Sequence, residues 1–147
     1  MTTTAARPTS IGAPAYSETM PCEPESARRA RLLISAALNT WGIGDLVDTA
    51  TLIVSELVGN SVQHTPCSLL RVTVSRPAPH RVRVAVIDKS RTVPDMTTPV
   101  DDAEEGRGLF LIDVLSDRWG CDRHSWGKTV WAELESTRAV AATAFRG

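Results

Sequence analysis

Glu56-Leu57-Val58-Gly59-Asn60-Ser61-Val62-Gln63-His64 closes a helical run that opens near Asp45 and ends before Pro66. Leu46, Val47, Ala50, Ile53, Val54, Leu57 and Val58 recur at spacings of three and four, the pattern of a helix with one buried side. On that helix Glu56, Asn60 and His64 stand at i, i+4 and i+8, along one margin of the apolar stripe. A side chain there can reach a ligand while its helix stays packed. A carboxylate can take a proton, and an amide oxygen suits a hard cation such as Mg²⁺. The same spacing also describes a solvated helix face that ends in a histidine.

Upstream, Pro24-Glu25-Ser26 opens a helix over 25–40, with Leu32, Leu33, Ala36 and Ala37 on one side and Arg28, Arg29 and Arg31 in its first turns. The basic turns read as a solvated helix start. Trp41-Gly42-Ile43-Gly44 breaks that helix. Downstream the period falls to two. Leu70, Val72 and Val74 alternate with polar residues, and Val82, Val84 and Val86 do so after Arg76-Pro77-Ala78-Pro79, which predicts a hairpin. The polar stretch 89–105 reads as a loop, and 108–115 as a short buried helix. A second hairpin follows over 117–123 and 128–135, around Ser125-Trp126-Gly127. Trp41, Trp119, Trp126 and Trp131 read as core or hairpin packing. This order predicts a two-layer α/β sandwich, a mixed, mainly antiparallel sheet with helices on one face.

Two further segments carry chemistry. Asp88 ends the apolar strand Val84-Ala85-Val86-Ile87, where an acid beside an open loop can accept a hydrogen bond from a ligand amino group, or can simply begin a turn. Gly106-Arg107-Gly108 leads into the third helix. Glycines let backbone N–H groups approach an anion, and the start of a helix favours negative charge. No Walker loop is present. Cys121 and His124 make only half of a metal site.

The three segments together, over residues 23–135, resemble the nucleotide-binding superfamily of type II topoisomerases, sensor histidine kinases, heat-shock chaperones and mismatch-repair ATPases. The nearest resemblance is to the bacterial anti-sigma-factor serine/threonine kinases and the ATP-binding regulators similar to them. It implies the Bergerat-type ATP-binding fold, with ATP and Mg²⁺ as cofactors. Asn60 would hold the Mg²⁺ that bridges the phosphates, and Glu56 would activate the attacking water or serine hydroxyl. Asp88 would accept from the adenine amino group. Gly106, Arg107 and Gly108 would cradle the phosphates, Thr129 would support the base, and His64 matches the family's N box. The implied function is a protein kinase that phosphorylates an anti-anti-sigma partner and sequesters a sigma factor, as a homodimer. The alternative is a non-catalytic nucleotide-binding module that holds a protein partner. One position departs from the pattern: Ser90 stands where the family carries glycine two residues after the acid.

Composition narrows the surroundings. Sixteen Lys+Arg against seventeen Asp+Glu leave a net charge of −1, without the basic field of a direct nucleic-acid binder. No apolar run approaches the roughly 20 residues that cross a bilayer, and the first ten residues lack the apolar stretch of a secretory signal. Three widely spaced cysteines fit a reduced compartment better than a disulfide framework. The expectation is a cytoplasmic protein with no membrane contact. Its folded part spans 22–135, between a disordered arm over 1–21 and a flexible tail over 136–147. At 147 residues a histidine kinase with its phosphoacceptor domain is disfavoured.

Overall fold

A computed structural model describes residues 7–8, 14–64, 68–89 and 103–136. Helix α1 (Ser26–Thr40) is followed by a single 3-10 turn (Gly44–Leu46) and helix α2 (Val47–His64). Strands β3 (Leu69–Ala78) and β4 (Arg81–Asp88) form the first expected hairpin. Helix α3 (Ala103–Leu115) then precedes the second hairpin, β5 (Arg118–Arg123) and β6 (Lys128–Glu135). Two strands stand ahead of α1: β1 (Arg7–Pro8) and β2 (Pro14–Pro21). The sheet order is β1-β2-β3-β4-β6-β5, and every pairing among the described residues is antiparallel, in keeping with the expected mainly antiparallel sheet of a two-layer α/β sandwich.

Strand β2 corrects the reading of residues 1–21 as a disordered arm. From Ala15 to Pro21 it pairs with Ser75 to Leu69. Its Met20 is 1% exposed in the core, and Glu18 receives Arg29 of α1. One large apolar side chain, backbone pairing with β3 and an ion pair to α1 hold a segment whose composition reads as unstructured. At the other end, Ser136, read as the first residue of a tail, is buried, and its hydroxyl lies 3.0 and 2.9 Å from the two carboxylate oxygens of Asp45. Residues 137–147 lie outside the described residues.

Helix α1 stops at Gly42, whose φ of 75° is open to a residue without a Cβ. Ile43 N–H then reaches back to the Leu38 carbonyl at 3.0 Å, closing the helix end in a Schellman-type turn. Helix α2 is central. It packs on α1, α3, β4 and β6, and Ile53, Val54, Leu57 and Val58 are almost wholly buried. Each such aliphatic side chain contributes about 1.5–3 kcal/mol by leaving water, so α2 is fixed by its apolar stripe rather than by its polar margin.

The sheet face opposite the helices is held differently. Glu133 accepts from Arg118 Nε at 2.8 Å, Arg83 Nε at 2.9 Å and Arg81 Nη1 at 3.3 Å. The Arg83 guanidinium also lies 4.1 Å from the centre of the Trp131 ring. Burial pushes the Glu133 carboxyl up, but the hydrogen bonds from Arg118 and Arg83 outweigh it and hold it below its ordinary value.

Candidate functional site

The candidate site forms where the last residue of β4 meets α2 and the first residue of β6. Val82, Val84, Val86 and Asp88 share the inner face of β4, so strand alternation carries the Asp88 carboxylate inward, where it is 3% exposed. An isolated buried carboxylate would cost several kcal/mol. Here Ser61 Oγ of α2 donates to Asp88 Oδ2 at 2.7 Å, and Lys128 Nζ donates to Oδ1 at 3.1 Å. Lys128 pairs with Asp88 in strand register, on the inward series it shares with Val130, Ala132 and Leu134.

Asn60 immediately precedes Ser61 on α2, about 100° round the helix from it. Its Nδ2 is buried and has no hydrogen-bond partner among the described residues. Buried polar atoms in folded proteins are nearly always paired, because an unpaired one costs about 1–3 kcal/mol. A half-turn about the Cβ–Cγ bond exchanges the NH₂ and the carbonyl oxygen, so this position offers either a donor or an acceptor to a group from outside the chain. Glu56 lies one turn earlier and is half-buried. His64 is the last residue of α2, and its side chain lies outside the described residues.

Four expected residues stand differently. Gly106, Arg107 and Gly108 lie within the first two turns of α3 instead of in a bend ahead of it. Ala103-Glu104-Glu105 favours a helix start, through good helix propensity and two acids beside the positive end of the helix dipole. The backbone of these three residues thus belongs to the helix that packs on α2, while the Arg107 side chain lies outside the described residues. Thr129 follows Lys128, and the strand period of two sends it to the opposite face, where its Oγ1 lies 2.9 Å from His124 Nε2. The residue that faces Asp88 from β6 is Lys128, not Thr129. Sequence reasoning passed over Lys128, although a lysine on the buried period of Val130, Ala132 and Leu134 is a legible signal.

Cys22, at the end of β2, is disulfide-bonded, against the expectation drawn from three widely spaced cysteines. Spacing along the chain says nothing about which thiols the fold brings together. Cys121 is free and half-buried in β5, and burial pushes its thiol up, which makes it a poor nucleophile.

Residues 20–134 match the family described as the histidine kinase-like ATPase domain. The chain belongs to that family. No curated protein matches it significantly. Among solved structures, this histidine kinase-like ATPase domain is similar to the structure of the RsbU and RsbW domains of Rv1364c from Mycobacterium tuberculosis. The TM-score is 0.63 at 18% identity, over 84% of this chain and 33% of that one. It also aligns with the histidine kinase domain of the blue-light activated histidine kinase EL346 from Erythrobacter litoralis. There the TM-score is 0.47 at 17% identity, over 85% of this chain and 65% of that one. The chain thus spans a third of the first protein and just under two thirds of the second. The likeness to the Mycobacterium structure shows the fold of the ATPase domain. No helix among the described residues is long and apolar enough to cross a membrane.

Proposed function

We propose that this histidine kinase-like ATPase domain binds ATP with Mg²⁺ between α2, the end of β4 and the start of α3, and transfers a phosphoryl group to a serine of a protein partner. The observation that carries this reading is the buried Asn60 Nδ2, which has no hydrogen-bond partner among the described residues, one residue along α2 from the Ser61–Asp88 contact. The donor set fits. An amide oxygen suits Mg²⁺, and a carboxylate is the kind of acceptor that an amino group on a base requires.

In this reading Asp88 accepts from the adenine amino group, held in place by Ser61. Asn60 supplies an oxygen ligand to Mg²⁺, which when bound neutralises charge on the phosphates. Gly106, Arg107 and Gly108 face the phosphates near the positive end of α3. Glu56 takes the proton from the acceptor hydroxyl as that oxygen bonds the terminal phosphorus and ADP departs. His64 belongs to the same helix margin.

The sequence resemblance to anti-sigma-factor kinases supports an anti-anti-sigma protein as the acceptor, a sigma factor as the second partner, a homodimer as the working form and the cytoplasm as its place. Ser90, where those kinases carry glycine, favours a second reading, a nucleotide-binding module that holds its partner without catalysis.

Calorimetric titration with Mg-ADP, followed by Mg-ATP with an anti-anti-sigma protein, tests both readings. Binding with transfer, abolished in Glu56→Ala while binding persists, is the result expected for the kinase. Binding without transfer to any partner selects the module, and no nucleotide binding overturns both.

A further inference from the structure

We infer that the disulfide at Cys22 joins it to Cys67 and acts as a reversible redox tie on the last turn of α2, through which oxidation state sets nucleotide affinity. The second half rests on the nucleotide-binding reading above and adds its regulation. The chain has three cysteines and Cys121 is free, so Cys67 is the thiol that remains to pair with Cys22.

The place of the bond argues for a role beyond bracing. Cys22 follows β2, and its N–H donates to the Ser68 carbonyl at 3.0 Å, so backbone pairing already seats the end of the strand. The Cys22 sulfur lies 3.8 Å from the carbonyl oxygen of Ser61, whose hydroxyl donates to Asp88 at 2.7 Å. Ser61 stands among the last four residues of α2, whose carbonyls have no partner further along the helix. Helix ends open more readily than helix middles, so contacts made there decide how often the last turn is in place. The disulfide thus touches the turn that carries Ser61, one residue after Asn60. A bond from Cys22 to Cys67 also encloses α1 and α2 in one covalent loop, and cutting it frees that loop at the end of α2.

Disulfides persist in oxidising compartments, whereas those that form in a reduced one are mostly transient, catalytic or redox-sensing. In the cytoplasm proposed above, a bond against the site helix fits the second class. Cys22 is half-buried, so a thiol can approach it. The reductant is a protein dithiol. One of its thiolates attacks a sulfur of the bond and expels the other, and its second thiol then displaces the mixed disulfide. Two electrons and two protons pass to Cys22 and Cys67, and the dithiol leaves as a disulfide.

Alkylation of the unreduced chain, followed by peptide mapping, tests the pairing. Cys121 is expected to be modified, with Cys22 and Cys67 in one linked peptide; modification of Cys22 or Cys67 without reductant overturns it. Mg-ADP titration and hydrogen exchange at the end of α2 are then measured on the oxidised chain, after dithiothreitol, and after reoxidation with oxidised glutathione. Reduction is expected to weaken Mg-ADP binding about 10-fold, as the competent helix end becomes a minor conformer, and to speed exchange there. Reoxidation is expected to restore both. Cys22→Ser/Cys67→Ser should match the reduced chain and ignore dithiothreitol, while Cys121→Ser should keep the full response. A bond that only braces the fold would lower the melting temperature on reduction and leave affinity and exchange unchanged well below it, which overturns the inference. Redox-dependent exchange with no nucleotide binding in either state upholds the tie and removes the nucleotide reading.

Discussion

Gly127 stands so close to the Asp88 backbone that a Cβ placed on it would lie 2.1 Å from the Asp88 carbonyl oxygen and 2.7 Å from Lys89 Cα. The turn between β5 and β6 is thereby pressed against the end of β4. Those neighbours are backbone and cannot swing aside. We expect Gly127→Ala to cost about 1–3 kcal/mol or more by overpacking, read as a lower urea midpoint with an unchanged m value.

Asn60→Ala separates stability from binding. The Asn60 Nδ2 has no partner among the described residues, so its removal gives up no hydrogen bond to them at that atom. The nucleotide-free variant is expected to melt within a few degrees of wild type, a change of under about 1 kcal/mol. Its Mg-ADP affinity, measured by titration, is expected to fall at least 10-fold. A large loss of stability with binding intact would contradict both expectations.

Glu133 makes stability depend on pH. Its carboxyl is held below its ordinary value in the folded chain, so its contribution is present above the unfolded carboxylate range and is lost as pH falls through the folded value. Glu133→Gln is therefore expected to lose stability at neutral pH and to show a flatter decline on acidification. With Arg118 and Arg83 partly in water, the loss at pH 7 should be about 1–2 kcal/mol. Urea unfolding of both proteins between pH 3 and 7 checks the sign.

Met20→Ala tests whether β2 belongs to the folded unit. Met20 is 1% exposed, and truncating a buried methionine costs about 2–5 kcal/mol. A chain that begins at residue 22 loses the whole strand and should unfold at markedly lower urea. Equal stability of the shortened and full chains would return β2 to the status of an arm.

The helices and both hairpins were legible because their signals are periodic. Ile53, Val54, Leu57 and Val58 repeat at helical spacing, and Val82, Val84 and Val86 at strand spacing. Strand β2 was not, since Ala15-Tyr16-Ser17-Glu18-Thr19 takes its structure from pairing with β3 and not from its own composition. Asp88 and Asn60 could be singled out by residue type and place, and Ser61 meets Asp88 in space. Lys128 in place of Thr129 turned on a one-residue step along β6, which reverses the face of a strand and which a motif alone does not fix. The disulfide at Cys22 is likewise a matter of proximity in the fold.

The two margins of the sheet share a property that bears on how this protein meets others. At one rim β1 is only two residues long, and its Pro8, opposite Pro14, has no N–H to offer a newcomer. At the other rim β5 is six residues long and carries Arg118, Asp122 and Arg123, charges that discourage a neutral strand from zipping alongside. Annexation of a neighbour's backbone is thus discouraged at β1 and along β5, an inbuilt guard against fibrous self-association at those two places.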